Sequence, residues 1–170
     1  KYNIILIFDE IQTGFGRTGF MFGYELFDVI PDVICIAKGM GGGMPIGAFI
    51  STKKHMDKLS YNPSLGHITT FGGHPLSCAA SQATFNELLK LDLPKYINKK
   101  RKYFIDNLQH PNIKNIYGVG LMIALEFEDE KSCQNIVQKT LKNGVISFYF
   151  IFNKKCMRIS PPLTIKKKEI

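Results

Sequence analysis

No apolar run in this 170-residue chain is long enough to span a bilayer, which takes about 20 consecutive apolar residues. A secretory signal is also missing. The apolar stretch at residues 4–8 is too short, and Asp9 and Glu10 stand where small cleavage-site residues would follow. The chain has no Met at its start and reads as a strand entered without a lead-in, so it is expected to be cut from something longer. Cysteine is scarce: Cys35, Cys78, Cys133 and Cys156 form no C-x-x-C pair, which excludes a zinc ribbon or dithiol redox motif, and no metal site is expected. Nothing in the cysteine pattern demands an oxidising compartment, and a cytoplasmic location is expected. No G-x-x-x-x-G-K-[ST] loop occurs, which argues against reading Asp9-Glu10 as the acidic end of a nucleotide-hydrolysing strand.

Acidic residues are also few, 14 against 22 Lys and Arg, for a formal charge of +8. Such an excess can mark a nucleic-acid partner. Here the basic residues fall in separate runs, Lys53-Lys54, Lys99-Lys100-Arg101-Lys102, Lys154-Lys155 and Lys166-Lys167-Lys168, none within a recognised nucleic-acid module. They read as solvated helix faces and a charged tail, with no nucleic-acid or membrane partner.

What is present is the pattern of an α/β protein. The hydrophobic share of 45% and the charged share of 21% suit a globular chain. Residues 4–8, 33–37 and 46–50 are continuous apolar runs, the signature of strands buried on both faces of a sheet. A Gly-rich loop at 13–19 and a helical candidate at 21–28 separate the first two, and Pro31 marks entry to the second. Further on, helices are expected at 76–91, 94–108 and 130–142, with Gly144 as the last one's stop. Strands are expected at 121–127, 145–152 and 156–160. The implied organisation is part of a large sheet domain at 1–75, a helical connection at 76–108, and a smaller, incomplete α+β domain at 109–170.

Lys38 is the most informative residue. It follows an apolar strand and precedes Gly39, Gly41, Gly42 and Gly43. A lysine buried there needs a partner, a lowered pKa or a covalent attachment, and a desolvated amine is what imine formation with an aldehyde requires. The bland reading is a lysine that snorkels to solvent. Asp9 ends the strand before it, and ligands of open α/β sheets gather at the carboxyl ends of strands. A carboxylate there can keep the ring nitrogen of pyridoxal phosphate protonated. The competing roles for Asp9 are a helix cap and a metal ligand.

Four segments then carry a resemblance. Ile7-Phe8-Asp9-Glu10-Ile11-Gln12-Thr13-Gly14-Phe15-Gly16-Arg17-Thr18-Gly19 is similar to the cofactor-binding segment of class III aminotransferases. Pro31-Asp32-Val33-Ile34-Cys35-Ile36-Ala37-Lys38-Gly39 resembles the same family's Schiff-base segment, at the family's separation. Gly66-His67-Ile68-Thr69-Thr70-Phe71-Gly72-Gly73-His74-Pro75-Leu76 resembles its phosphate-contact segment, and Met157-Arg158-Ile159-Ser160-Pro161-Pro162-Leu163 its substrate-carboxylate segment.

The resemblance implies a fold type I pyridoxal-phosphate-dependent transferase, represented by the C-terminal half of its large sheet domain and its smaller C-terminal domain. It implies that Lys38 carries the cofactor as a Schiff base and moves the proton, Asp9 pairs with the pyridine nitrogen, and Ile11 packs on the ring. Gln12 would bond the phenolic oxygen, Thr70 the phosphate, reaching across to a second subunit's site, and Arg158 a substrate carboxylate. A homodimer with interface active sites follows. The expected reaction moves an amino group from an acetylornithine- or ornithine-like donor to 2-oxoglutarate. The alternatives are a 4-aminobutyrate transaminase, a glutamate-semialdehyde aminomutase, or an inactive truncated fragment. The Gly-rich phosphate loop and the stacking aromatic of the family have no counterpart in this chain, so alone it is expected to be inactive. Two departures stand out. His74 occupies a position where Asn is commoner and is expected still to bond the backbone. Tyr117 replaces a commoner Arg, read as a change in domain contact.

Overall fold

The computed structural model describes residue 2 and residues 4–170. The chain divides into two compact units, one formed by Lys1–Gly16 and Phe20–Asp92, the other by Arg17–Gly19 and Leu93–Ile170.

The first unit is built on a three-stranded sheet of β1 (Ile7–Asp9), β2 (Val33–Ile36) and β3 (Ala48–Ser51), in that order. β1 and β2 run parallel with Asp9 opposite Cys35, and β3 returns antiparallel with Phe49 opposite Cys35. Each strand is shorter than its apolar run because pairing, not hydrophobicity, sets its length. The helical candidate at 21–28 is a 3-10 turn, Gly23–Leu26. A short helix α1 (Lys53–Met56) follows β3, and the long α2 (Pro75–Leu89) opens with Pro75 in its first turn, where a missing N–H leaves no bond unmade. His74 is its N-cap residue, yet its side chain makes no cap hydrogen bond; the ring stands 6.1 Å from that of Phe71 instead.

The expectation of strands buried on both faces is corrected here: Ile5, Ile7 and Ile50 are 53%, 59% and 53% exposed, and Cys35 is only half-buried. The described residues of this unit supply too little cover for a parallel pair whose side chains are apolar on both faces.

The second unit holds the larger core. Its sheet runs β4-β5-β7-β6, antiparallel throughout, from β4 (Asn115–Val119), β5 (Met122–Glu126), β6 (Phe148–Tyr149) and β7 (Cys156–Ile159). Strict alternation puts Ile123 and Leu125 of β5 inward, with Leu121 and Phe127 continuing the same face. Against them pack α3 (Leu93–Asn107), through Ile97 and Phe104, and α4 (Glu130–Lys142), through Cys133 and Val137. These spacings of seven and four residues line one face of a helix. Burial raises the pKa of the Cys133 and Cys156 thiols. Asp129 caps α4 by accepting the Ser132 N–H at 2.7 Å, and Lys139 and Lys142 in its last turn complement the helix dipole. Gly144 supplies the left-handed turn (φ +83°) that ends it.

β4 escapes sequence reading because Gly118 interrupts its pattern. Its φ of +104° and the Met122 carbonyl, 1.9 Å from where a Cβ would sit, leave glycine as the fitting residue at the hairpin. The strand expected at 145–152 shrinks to Phe148–Tyr149. Tyr117 is engaged within its own sheet, donating its hydroxyl to Glu126 at 2.8 Å. Two lysines stack on tyrosines of α3: Lys100, on the same helix, sits over the Tyr96 ring at 4.0 Å, and Lys167, near the end of the chain, over Tyr103 at 4.7 Å. Among the described residues no helix is long and apolar enough to cross a membrane.

Candidate active site

The parallel β1–β2 pair sets the geometry. Register places Asp9 beside Cys35, and the Glu10 N–H donates to the Cys35 carbonyl at 2.8 Å, so both strands end at one level. Asp9 is the last residue of β1, and Lys38 follows two positions after the end of β2. An amine and a carboxylate thus leave the same edge of the sheet from adjacent strands. Both are exposed in this chain. The burial that the sequence suggested for Lys38 is therefore not supplied by the residues described.

The backbone at Lys38 is unusual. Its φ is +45°, in the left-handed region that L-residues enter at a cost of about 1–2 kcal/mol. Ala37 before it is fully extended, and a 3-10 turn, Lys38–Gly41, begins at the lysine itself. Gly42 closes that turn against α2: a Cβ there would stand 2.0 Å from the Thr84 hydroxyl oxygen. The packing of α2 therefore holds the turn in place behind the amine. Strain maintained by surrounding structure is characteristic of functional positions.

Asp9 and Glu10, adjacent in sequence, have opposite fates. Asp9 faces outward and accepts the Ile11 N–H through Oδ1 at 3.1 Å. Glu10 is 2% exposed; it accepts the Gly23 N–H at 2.8 Å, the Tyr24 N–H at 2.7 Å and the Thr13 hydroxyl. Its carboxylate stitches the segment after β1 to the 3-10 turn at Gly23. Ile11 and Gln12 lie within the stretch so fixed, Ile11 half-buried and Gln12 exposed. Sequence reasoning missed Glu10 as a functional support. The available signal was an acid placed directly beside a strand-end acid, since neighbouring residues point to opposite sides.

Phe15 and Phe22 pack edge-to-face at 5.6 Å and, with Ile36, Met40, Ile50 and Phe85, line an apolar groove of about 790 Å³. Neither Lys38 nor Asp9 lines this groove.

Thr70 sits on exposed turns ahead of α2, where the Gly72 N–H donates to Thr69 and the His74 N–H to Phe71. Arg158 belongs to the second unit, on β7, half-buried and opposite both Ala124 and Phe148. Structure thus brings Asp9, Ile11, Gln12 and Lys38 to one sheet edge, while Thr70 and Arg158 stand on other elements.

The donor set fits pyridoxal phosphate. It offers a carboxylate for a pyridinium nitrogen, an amine for an aldehyde carbon, a primary amide for a phenolic oxygen and a branched side chain for a ring face.

Comparison with known proteins supports the same chemistry. The model of the family described as aminotransferase class-III matches residues 1–170. The chain is similar to acetylornithine aminotransferase of Caldanaerobacter subterraneus subsp. tengcongensis, 41% identical over 99% of this chain and 42% of that protein. It is 40% identical to acetylornithine aminotransferase of Haemophilus ducreyi, over 99% of this chain and 41% of that one. Among solved structures, ornithine aminotransferase of Toxoplasma gondii superposes with a TM-score of 0.84 at 32% identity, covering 98% of this chain and 40% of that one. Another structure of the Toxoplasma enzyme, with a TM-score of 0.82 at 32% identity over 98% of this chain and 40% of that one, holds PLP at partial occupancy in its active site. An (S)-enantioselective omega-transaminase of Thermomicrobium roseum gives a TM-score of 0.85 at 29% identity over 99% of this chain and 41% of that one. The chain therefore spans about two fifths of the length of the relatives it matches.

Proposed function

The chain belongs to the class-III aminotransferase family, and on that premise we propose that the whole protein moves an amino group from an amino acid to a 2-oxo acid with pyridoxal phosphate as cofactor. Its fold is the α/β architecture of fold type I PLP-dependent transferases, here a mixed sheet and a small α+β unit. The donor class is acetylornithine or ornithine and the acceptor 2-oxoglutarate. Two acetylornithine aminotransferases at 41% and 40% identity support that choice. One observation carries the reaction type: Asp9 and Lys38 leave the carboxyl ends of adjacent parallel strands.

When bound, pyridoxal phosphate supplies an electron sink that stabilises negative charge at the substrate Cα. Lys38 would hold the cofactor through Nζ, and its amine would move the proton at the substrate Cα. Its left-handed φ directs the amine from a turn that α2 keeps from relaxing. Asp9 holds the proton on the ring nitrogen, and Ile11 and Gln12 orient the ring, both set by the Glu10 tether. Thr70 donates to the phosphate, and Arg158 takes a substrate carboxylate, for which a planar guanidinium offers two parallel donors. Ile5, Ile7 and Ile50 are exposed, and imine formation at Lys38 needs a desolvated amine, so cover for both would have to come from outside the described residues.

Reduction of the loaded enzyme with borohydride, followed by digestion, is expected to leave the cofactor's mass on the peptide that contains Lys38. The Lys38→Ala enzyme is expected to lose both the bound-cofactor absorbance band and turnover. Cofactor mass on a different lysine removes Lys38 from its role. The assembly is a homodimer in which Thr70 serves the partner's site, as the resemblance in residues 66–76 suggests. Sedimentation at micromolar concentration is expected to give a dimer; a fully active monomer refutes the placement of Thr70.

A further inference from the structure

Arg17 lies in the segment Arg17–Gly19 that belongs to the second unit, and it joins two parts of that unit. Its carbonyl accepts the Leu121 N–H at 3.0 Å, while its Nη1 donates to the Leu121 carbonyl at 3.1 Å and to the Pro161 carbonyl at 2.6 Å. Leu121 leads directly into β5, and Pro161 lies just beyond the end of β7. One guanidinium therefore ties the entry of β5 to the exit of β7. Arg158 stands on β7 three residues before Pro161, paired with Ala124 of β5. Such close approach depends on Gly120: with φ +53°, its Cβ would lie 2.4 Å from the Arg17 carbonyl oxygen and 2.5 Å from the Thr18 carbonyl carbon.

The second observation is electrostatic. Burial lowers the pKa of Arg17, and the charge of Arg158 lowers it further, so two guanidinium groups lie within each other's field. Two like charges on neighbouring elements repel, and an anion received there relieves the repulsion.

We propose that Arg17 is the positioning residue for substrate-carboxylate recognition: by holding the Pro161 carbonyl it fixes the end of β7 from which Arg158 grips the carboxylate, and it adds positive field without touching the substrate. This inference rests on the proposed role of Arg158. A nearby arginine provides the structural control. The Arg101 Nη1 donates to the Gly120 carbonyl at 3.2 Å, gripping the same turn without reaching Pro161.

The test uses the enzyme expressed from its whole reading frame, with glutarate as an unreactive dicarboxylate probe measured by titration calorimetry. Arg17→Met is expected to weaken glutarate about tenfold, or ~1.4 kcal/mol. The matching loss in kcat/KM for the 2-oxo acid is carried by KM, and the bound-cofactor absorbance is unchanged. Arg17→Lys, which keeps the charge and can still reach one carbonyl, is expected to recover most of the affinity. Arg101→Met is expected to lower the melting temperature and leave glutarate binding as it was. Equal weakening in the Arg17 and Arg101 variants, or a loss of melting temperature alone in Arg17→Met, overturns the proposal. Arg158→Met separates the two levels. If it binds glutarate normally, the carboxylate role of Arg158 falls and the inference with it; if it is weakened while Arg17→Met is not, only the inference falls.

Discussion

Replacing Glu10 by Gln removes one charge and changes almost no volume, yet the structure makes it a severe substitution. The carboxylate is 2% exposed and accepts from Gly23 N, Tyr24 N and the Thr13 hydroxyl. A carboxylate offers two acceptor oxygens, whereas a glutamine amide offers one oxygen and an NH2 group that can only donate. Whichever way the amide turns, an NH2 group faces backbone N–H or hydroxyl donors. One charge-assisted bond is lost, worth about 1.5–3 kcal/mol, and at least one buried donor is left unpaired, at about 1–3 kcal/mol. Partial relaxation of the turn at Gly23 recovers some of this, so about 3 kcal/mol is expected. That is a large part of the roughly 5–15 kcal/mol that holds a typical domain. Urea unfolding followed by far-ultraviolet circular dichroism measures the midpoint and slope of wild type and variant. The Glu10→Asp variant keeps the charge but is one methylene short, and its stability is expected to fall between the two. A Glu10→Gln stability within about 0.5 kcal/mol of wild type, the range of ordinary surface changes, refutes the reading of Glu10 as a buried tether.

Two further predictions concern backbone packing and the response to pH. Gly120→Ala places a Cβ against the backbone of Arg17 and Thr18 at a left-handed φ, and is expected to cost about 3 kcal/mol or more in denaturant unfolding. Gly43→Ala has φ +106° but nothing within 4 Å, and is expected to cost only the conformational share, about 1–2 kcal/mol; equal costs contradict the packing argument. The pKa of Glu126 is lowered by hydrogen bonds from Asn115 and Tyr117, and that of Asp129 by the Ser132 backbone N–H. A depressed folded-state pKa means that their stabilisation is complete above the unfolded-chain carboxylate values and is lost as pH falls through the lower folded values. Thermal unfolding between neutral pH and about pH 2 is expected to show this decline, flattened in Glu126→Gln and Asp129→Asn; an unchanged slope in both variants contradicts it.

Much of the second unit was legible from periodicity. The strand at 121–127, the helices at 94–108 and 130–142, and the stop at Gly144 each encode their element within a few neighbouring positions; the Asp129 cap emerged only from the structure. β4 was not legible, because a hairpin edge with Gly118 at its turn carries a weak local pattern and gains its form from β5. The first unit inverted an expectation. Apolar runs correctly marked the strands at 7–9, 33–36 and 48–51, but run length overstated them, and their exposure here depends on cover that local sequence does not report.

The sequence by itself determined the chemical inventory: an amine after one apolar strand, an acid after another, and motifs whose order points to a single family. Such information is local, a matter of residue type and spacing. Tertiary structure decided which neighbour does which task. Strand register set Asp9 level with the approach to Lys38, and side-chain alternation sent Asp9 outward and Glu10 inward. The 104-residue separation between Arg17 and Leu121 closed into a clamp beside Arg158. These are long-range pairings, and no short window of sequence contains both partners.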